Sequence, residues 1–170
     1  MITPAYAVLM TQYNRWMNES LYGICGSLTD EERKQDQGAS YRSVHGTLNH
    51  LLLGDRLYLG RFTGEPFRVR SLEEELYSDF PTLCQERAKT DQQIEAWTQT
   101  LTEEALTLPL RFESVTYRRE HIFPLWIVVV QFFNHQIHHR GQLTTLLNQV
   151  GVDFGKVDLI WMPGTELSSL

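Results

Sequence analysis

The chain contains little cysteine, and its cysteines fit no recognised metal or redox spacing. Among its 170 residues there are two, Cys25 and Cys84, which lie far apart. Zinc sites built on cysteine need closely spaced thiols, and disulfide-stabilised domains need several paired ones. The sequence therefore argues against both classes and predicts two reduced thiols, as is usual in the cytosol.

Long basic runs and long apolar runs are also missing. The net charge is −6 and no cluster of Lys and Arg stands out, which disfavours nucleic acid binding because phosphate contacts need a basic surface. The longest apolar stretch, PLWIVVVQFF, is shorter than the roughly 20 residues that span a bilayer. The amino-terminal segment lacks the basic-then-apolar order of a signal peptide. We therefore expect a cytoplasmic protein with no nucleic acid partner and no membrane contact.

The apolar residues that the chain does contain follow a helical period. They predict four long helices, at about Pro4 to Leu28, Ser43 to Phe62, Ser71 to Thr100 and Pro124 to Val150. A short β-hairpin is predicted near Leu110 to Glu120, and an irregular tail that packs on the bundle through Trp161. The predicted fold is all-α, a four-helix bundle forming a single domain over residues 1–170, with the hairpin before the last helix.

The most informative stretch is FFNHQIHHRGQLTTLL, in which His135 and His139 stand four residues apart. On a helix this spacing turns the second side chain only about 40° from the first, so both imidazoles can reach one ion. Both fall within the apolar stripe that contains Val128 and Leu143, whereas His138 falls on a polar edge. Inward-facing imidazoles need partners. Either a shared metal or hydrogen bonds to Tyr, Gln or backbone carbonyls would supply them.

A third ligand is predicted on the second helix, which carries His45 and His50. These two lie about 140° apart on a helical wheel, so they cannot share one inward site. His45 groups with Asn49 and Arg56 on the polar arc, whereas His50 borders the apolar arc. His50 is therefore the better third ligand, facing the pair on the last helix. Three protein ligands leave coordination positions open, as in catalytic rather than structural metal sites.

Three segments together form a pattern found in a known family: YNRWMNESL (13–21), TLNHLLLGDRLYLGRF (47–62) and NHQIHHRGQL (134–143). The last contains the most specific motif, NHxxxHRGQ. In their order and spacing, and over nearly the whole chain, they resemble the DinB/YfiT-type family of metal-dependent proteins. This resemblance implies a DinB-like four-helix bundle, a homodimer, and metal ligands at His50, His135 and His139. The helical wheels select the same three residues.

The residues around the predicted ligands indicate the kind of chemistry. The zinc-protease signature is absent, because Gln136 stands where that motif has its catalytic Glu. No acidic residue lies between Phe123 and Gly151, and the acidic run from Glu73 to Glu75 is interpreted as the solvated start of a helix. A Lewis acid without a nearby carboxylate base suits a substrate that acidifies on binding the metal, such as a thiol.

The family resemblance also implies chemistry on a thiol, since relatives include thiol-dependent S-transferases and isomerases. We therefore expect a divalent metal, with zinc or nickel as the leading candidates, and a small-molecule substrate such as a low-molecular-weight thiol. Two classes of function stay open: a metal-dependent transferase or hydrolase-like enzyme, and a non-enzymatic metal- or ligand-binding bundle of the stress-response kind. A third reading is a bundle whose histidines only form hydrogen bonds. No catalytic residue is assigned.

Several other residues are assigned structural roles. Arg140 is interpreted as pairing with Asp55 or Glu19 rather than anchoring an anionic substrate, and Asp55 is not expected to be a ligand. At most one of Tyr13, Trp16 and Tyr58 is expected to line a pocket, because aromatic residues at helical spacing usually belong to the core.

The last helix also carries Val130, Phe133 and Ile137 away from the metal stripe. This apolar face is either a homodimer interface or is covered by the third helix or the tail.

Overall fold

The structure, a computed structural model, describes residues 1–166 and is mainly helical. Its elements are α1 (Pro4–Cys25), α2 (Asp30–Lys34), α3 (Val44–Thr63), α4 (Phe80–Thr98), α5 (Glu103–Thr107), β1 (Pro109–Glu113), β2 (Glu120–Pro124) and α6 (Leu125–Gln149), followed by a 3-10 turn at Leu159–Trp161. The long helices α1, α3, α4 and α6 surround one apolar core. The predicted helical bundle with a hairpin before the last helix is confirmed. Within the described residues, no helix is long and apolar enough to cross a membrane.

Capping residues determine where the long helices begin. The Thr3 hydroxyl accepts a hydrogen bond from the backbone N–H of Tyr6, and the Ser43 hydroxyl accepts one from Gly46. These bonds satisfy donors that the first turn of a helix leaves free. The helix α6 instead follows Pro124, which ends β2 and provides no side-chain cap. The prediction that Ser43 caps the second long helix is confirmed.

The third long helix begins later than predicted, because residues 71–79 form a loop. Asp79 caps the first turn of α4, so the helix starts after it. The loop is held against α3 by Asn49, whose side-chain oxygen accepts hydrogen bonds of 2.9 Å from the backbone N–H groups of Leu76 and Tyr77. A buried side chain that binds the backbone in this way competes with helix formation. The prediction of a helical start at the acidic run is therefore wrong.

The hairpin of β1 and β2 is antiparallel and pairs Pro109 with Pro124 at one end and Glu113 with Glu120 at the other. It lies against α3 and α6. The predicted hairpin is confirmed, and its second strand extends directly into the last helix.

The tail after α6 is irregular, as predicted, but a different residue anchors it. Gly151 ends the helix with a φ of 75°, a left-handed conformation that suits glycine. Met162 is buried in the core, whereas Trp161 is 52% exposed. The Tyr13 hydroxyl also donates a hydrogen bond of 2.5 Å to the carbonyl of Val157. The prediction that Trp161 packs on the bundle is therefore wrong.

Candidate metal centre

Three histidines from two helices meet where α3 packs against α6. The Nε2 atom of His50 lies 3.2 Å from Nε2 of His135 and 3.1 Å from Nε2 of His139. His50 and His139 are buried, and His135 is partly buried. One ring nitrogen from each lies within 4.8 Å of the others, so the group could hold a divalent metal. The structure thus brings together the three residues that the sequence analysis selected; we call them the histidine triad.

Hydrogen bonds on the far side of two rings fix which nitrogen faces the centre. Nδ1 of His50 donates to the carbonyl of Leu72 at 3.0 Å, and Nδ1 of His139 donates to the side-chain oxygen of Gln142 at 2.7 Å. A neutral ring that donates from Nδ1 carries a lone pair on Nε2. Partners of this kind commonly orient histidines that ligate metals. Two acceptor nitrogens therefore face each other at the centre of the triad.

Burial keeps the triad neutral at physiological pH. It lowers the pKa of His50 to about 4, against the opposing effect of its hydrogen bond to the Leu72 carbonyl. Burial and the neighbouring imidazoles lower the pKa of His135 to about 3, and burial lowers the pKa of His139 as well. Neutral imidazole is the form that binds metals. Protons therefore compete little with a metal for these nitrogens near pH 7.

The geometry of the triad fits a transition-metal ion. Imidazole nitrogens bind zinc at about 2.0–2.1 Å, which at a tetrahedral angle places two ligand atoms about 3.4 Å apart. The observed separations of 3.1 and 3.2 Å are close to that value. Hydrogen bonds among the rings do not satisfy the group, because Nδ1 of His135 is buried without a partner among residues 1–166. A cation at the shared point would be attracted by all three nitrogens.

Gly54 allows α3 to approach the triad closely. A Cβ atom at this position would lie 2.6 Å from Cε1 of His135, a separation that real side chains do not adopt. The glycine stands one helical turn after His50, so its bare backbone provides the space that the His135 ring fills.

A cavity of about 560 Å³ reaches the triad at His50. The ring of Tyr41 stacks on the ring of His50 with centroids 3.7 Å apart, and Leu72 lies in the same wall. Glu73 also lines the cavity, and burial together with this carboxylate raises the pKa of Tyr41. The acidic run that the sequence analysis assigned to a helix start is thus a loop beside the candidate site. The expectation that no carboxylate lies near the site is corrected accordingly.

The histidines that the sequence analysis set aside stay outside the triad. His138 is exposed on α6. His45 is only 1% exposed, contrary to its assignment to a polar arc, and its Nε2 lies 2.9 Å from the carbonyl of Tyr77. The loop of residues 71–79 covers this side of α3, and polar side chains such as His45 and Asn49 bind its backbone. That face is therefore buried and polar at once.

A second buried polar group lies between α1, α3 and α4, and we call it the buried ion cluster: Asn18, Asp55, Arg87 and Asp91. Arg87 lies 2.6 Å from a carboxylate oxygen of Asp55 and 2.8 Å from one of Asp91. Asn18 donates a hydrogen bond of 2.9 Å to the same oxygen of Asp91. Burial raises the pKa of Asp55 to about 7, against the opposing effect of Arg87. As predicted, Asp55 is not one of the clustered ligands.

Arg140 is buried and has a structural environment, as favoured from the sequence. Its guanidinium donates a hydrogen bond to the side-chain oxygen of Asn14 and lies 5.1 Å from the ring centroid of Tyr13. The predicted pairing with Asp55 or Glu19 is wrong, because Asp55 pairs with Arg87 and Glu19 pairs with Arg15 on the surface.

Tyr58 is the one aromatic of the three considered that approaches the triad, with its ring centroid 5.9 Å from that of His135. Sequence reasoning missed Tyr41 and Gln142. Gln142 was detectable, because it stands three residues after His139 and therefore on the same side of the helix. Tyr41 belongs to an irregular segment, where no periodicity indicates which way a side chain points.

A four-helix bundle that directs three histidines from two helices to one point defines a class of candidate metal-binding proteins. The sequence model of the DinB family matches residues 1–166, and the chain belongs to this family.

Two known proteins are similar to the chain. Protein DinB of Bacillus subtilis (strain 168) is 25% identical over 176 residues, covering 95% of this chain and 97% of that protein. The crystal structure of a DinB-like protein from Bacillus cereus ATCC 10987 is similar in fold, with a TM-score of 0.61 and 24% sequence identity. That similarity covers 85% of this chain and 92% of the other.

Proposed function

We propose that this chain is a divalent-metal-dependent enzyme that acts on small molecules, by thiol-dependent S-transfer or by hydrolysis, with zinc or nickel held by the histidine triad. The observation that carries the proposal is the convergence of three neutral imidazoles, of which His50 and His139 present acceptor nitrogens 3.1 Å apart. Like-facing acceptors repel each other unless a cation or a proton lies between them. The lowered pKa values make a proton a poor candidate near neutral pH.

The site has the composition of a reactive centre rather than of a closed structural one. Three protein ligands leave room for a further ligand. The bound ion would supply a Lewis acid that promotes loss of a proton from a thiol or a water molecule. Leu72 and Gln142 keep the imidazoles in one tautomer and orientation. Tyr41 covers one face of His50, which limits access by water, and Glu73 provides a carboxylate in the same cavity that can accept a proton.

The first experiment measures metal content. Purified protein should contain about one zinc or nickel per chain, and His139→Ala should lose most of it. The matched control is His138→Ala, which removes the neighbouring, exposed imidazole. Unchanged metal content in the His139 variant would overturn the assignment of the triad.

The second experiment measures turnover. Metal-loaded protein is supplied with glutathione, bacillithiol or mycothiol and a monochlorobimane-type electrophile, and is compared with His50→Ala. We expect conjugation that the variant does not catalyse, because the variant lacks one ligand. Equal rates would exclude the metal from the reaction. Tight metal binding without turnover of any thiol or ester would favour the alternative, a non-enzymatic metal- or ligand-binding protein of the stress-response kind.

We also propose that the chain forms a homodimer. The predicted apolar face of α6 is largely covered, since Phe133 is buried and Val130 is partly buried, but Ile137 is 45% exposed and Ile127 is 37% exposed. Sedimentation equilibrium should give twice the mass of one chain. Replacement of both isoleucines by Glu should yield monomers, and a monomeric parent protein would contradict the proposal.

A further inference from the structure

A second cavity, of about 800 Å³, lies between the carboxyl-terminal half of α3, the loop that follows it and the hairpin. Five arginines line it, and we call it the arginine groove: Arg61, Arg68, Arg70, Arg111 and Arg118. The whole chain has 15 basic residues and a net charge of −6, so a third of its cations meet in one place on an acidic protein. Glu113 is the single carboxylate among the lining residues of this cavity. The groove is therefore strongly positive.

The protein itself neutralises little of this charge. Arg111 lies 3.4 Å from Glu120 across the hairpin, and both side chains are more than half exposed, so this ion pair is weak. Between residues 1 and 166, the other four arginines of the groove form no ion pair. In contrast, Arg15, Arg56 and Arg87 each contact at least one carboxylate. The groove arginines keep their charge available for a ligand.

Arg61 is positioned by aromatic rings at the inner end of the groove. Its guanidinium carbon lies 4.2 Å from the ring centroid of Phe112 and 5.1 Å from that of Tyr58. Contacts of this kind hold a guanidinium group in one plane and leave its N–H edge available. That edge matches the spacing of two oxygens in a carboxylate or phosphate. Arg61 is half-buried, so a bound anion would be partly shielded from solvent.

Gly60 lets the loop form the opposite wall. A Cβ atom there would lie 2.7 Å from both the carbonyl oxygen of Glu65 and the backbone nitrogen of Phe67. The bare backbone therefore allows the loop to lie directly on α3, which places Arg68 and Arg70 beside Arg61.

We propose that the arginine groove binds the anionic end, a carboxylate or a phosphate group, of a small-molecule ligand. The further claim that the other end of this ligand reaches the histidine triad rests on the proposed function. Tyr58 connects the two sites, with its ring centroid 5.9 Å from that of His135 and 5.1 Å from the guanidinium carbon of Arg61. His50 and Arg61 are separated by 11 residues of one helix, about 16 Å along its axis.

The dimensions favour a small molecule over a nucleic acid. The cavity volume falls within the range of about 300–1,000 Å³ that small-molecule pockets occupy. Nucleic acid binding requires an extended basic surface that follows many phosphates, whereas this chain is acidic outside the groove. The substrate class that fits is therefore an organic acid or phosphate ester that also carries a metal-directed donor such as a thiol.

The test begins with metal-free protein, so that it does not depend on the triad. Inorganic phosphate and, separately, succinate are titrated at constant ionic strength while ¹H–¹⁵N NMR spectra report backbone amides. We expect saturable shifts confined to the groove, and the tighter of the two ions identifies the anionic group. Arg61→Gln/Arg68→Gln should weaken binding by about tenfold or more, because two charge-assisted contacts are lost. The control Arg15→Gln/Lys89→Gln removes the same charge elsewhere and should change binding by less than about twofold.

A second double variant tests the groove if the first one does not fold. If the first variant unfolds, Arg111→Gln/Arg118→Gln on the exposed hairpin should weaken binding in the same way. Equal weakening in the control variant, or no saturable binding of either ion, would overturn the groove as a site. Preferential binding of a single-stranded oligonucleotide that phosphate does not displace would also overturn it.

The two proposals can fail separately. His50→Ala should bind phosphate normally, since it removes a triad residue only. In the parent protein, phosphate binding without metal binding would contradict the proposed function alone, and metal binding without phosphate binding would contradict the groove alone. Their connection is tested with metal-loaded protein: glutathione should bind more tightly than its diethyl ester, and the Arg61→Gln/Arg68→Gln variant should abolish that difference. Equal affinities of the parent protein for glutathione and its diethyl ester would contradict the claim that one ligand reaches both sites.

Discussion

The histidine triad and the buried ion cluster lie in the same bundle, and both contain polar groups removed from water. They differ in the charges and hydrogen-bonding groups that their side chains bring into contact. In the cluster, the cation Arg87 lies between the anions Asp55 and Asp91, so opposite charges are in contact. In the triad, at least two of the nitrogens that face the centre are acceptors, so like groups are in contact. The cluster contains both signs of charge, whereas the triad gathers acceptor nitrogens that a cation could bind.

This difference separates structural from functional polar burial. A buried polar group that is left unsatisfied lowers the free energy of unfolding by roughly 1–3 kcal/mol. A group of like-charged or like-facing side chains can be satisfied by an external ligand of the opposite kind. The arginine groove belongs with the triad in this respect, because it gathers like charges that the described part of the chain does not neutralise.

The largest expected effect comes from breaking the buried ion cluster. Arg87→Met leaves two buried carboxylates without a cation and should lower the free energy of unfolding by about 3–5 kcal/mol. Urea denaturation followed by circular dichroism measures the change. Arg15→Met is the matched control, since Arg15 also contacts two carboxylates, Glu19 and Glu95, but on the surface. It should cost at most about 1 kcal/mol. Similar losses in both variants would contradict the distinction between the two ion pairs.

Removal of the metal should have the next largest effect. Because a metal held by the triad would bind the folded state, a chelator should lower stability by about 2.7 kcal/mol when the free metal had been at a hundredfold excess over Kd. Differential scanning calorimetry should show a lower Tm that recovers on adding metal back. The bundle has its own apolar core, so the helical signal should persist at 25 °C. Complete unfolding on chelation would mean that the triad is a structural metal site.

A smaller effect is expected from Gln142→Ala, which removes the hydrogen-bond partner of His139 without removing a ligand. Loss of such a partner lowers metal affinity by about 10–100-fold. Competition with a chromogenic chelator measures the affinity. Gln149→Ala, at an exposed position of the same helix, serves as the control and should leave affinity unchanged. Equal affinities in the two variants would show that Gln142 does not orient the ring.

Sequence patterns were sufficient to predict the triad because helical geometry relates neighbouring positions directly. His135 and His139 share a face by their spacing, and the apolar stripe identifies that face as inward. The bundle could be predicted for the same reason. The start of α4 is set by the local cap Asp79, which the sequence analysis overlooked. The conformation of the preceding loop could not be predicted, because it depends on Asn49, which is distant in sequence. A helical wheel places a polar residue on the polar face in both cases, whether its side chain contacts water or the backbone of a neighbouring segment.

The arginine groove was beyond prediction for a related reason. Its five arginines are spread between Arg61 and Arg118, on a helix, a loop and a hairpin. No long run of basic residues in the sequence indicates this site. The packing of the hairpin against α3 brings the arginines together. The absence of a basic cluster in the sequence therefore did not imply the absence of a positive site.

A pH dependence also separates the triad from the ion cluster. The folded-state pKa values of His50 and His135, about 4 and 3, lie below the value of about 6.5 that an unfolded chain would have. The unfolded chain therefore takes up protons first as pH falls. Stability of the metal-free protein should be fully present above pH 6.5 and should decline progressively from there toward pH 4.

The urea midpoint of metal-free protein at pH 7.5 and at pH 4.5 measures this decline, and His135→Gln is the comparison. The variant lacks one of the titrating rings, so it should lose less stability than the parent between the two pH values. The contribution of Asp55, whose raised pKa acts in the opposite direction, is common to both proteins and cancels. A parent and variant that decline equally would show that His135 is not held neutral by burial. If the variant declines less than the parent, metal binding to the parent should persist well below pH 6.5. Both results depend on a neutral His135 ring.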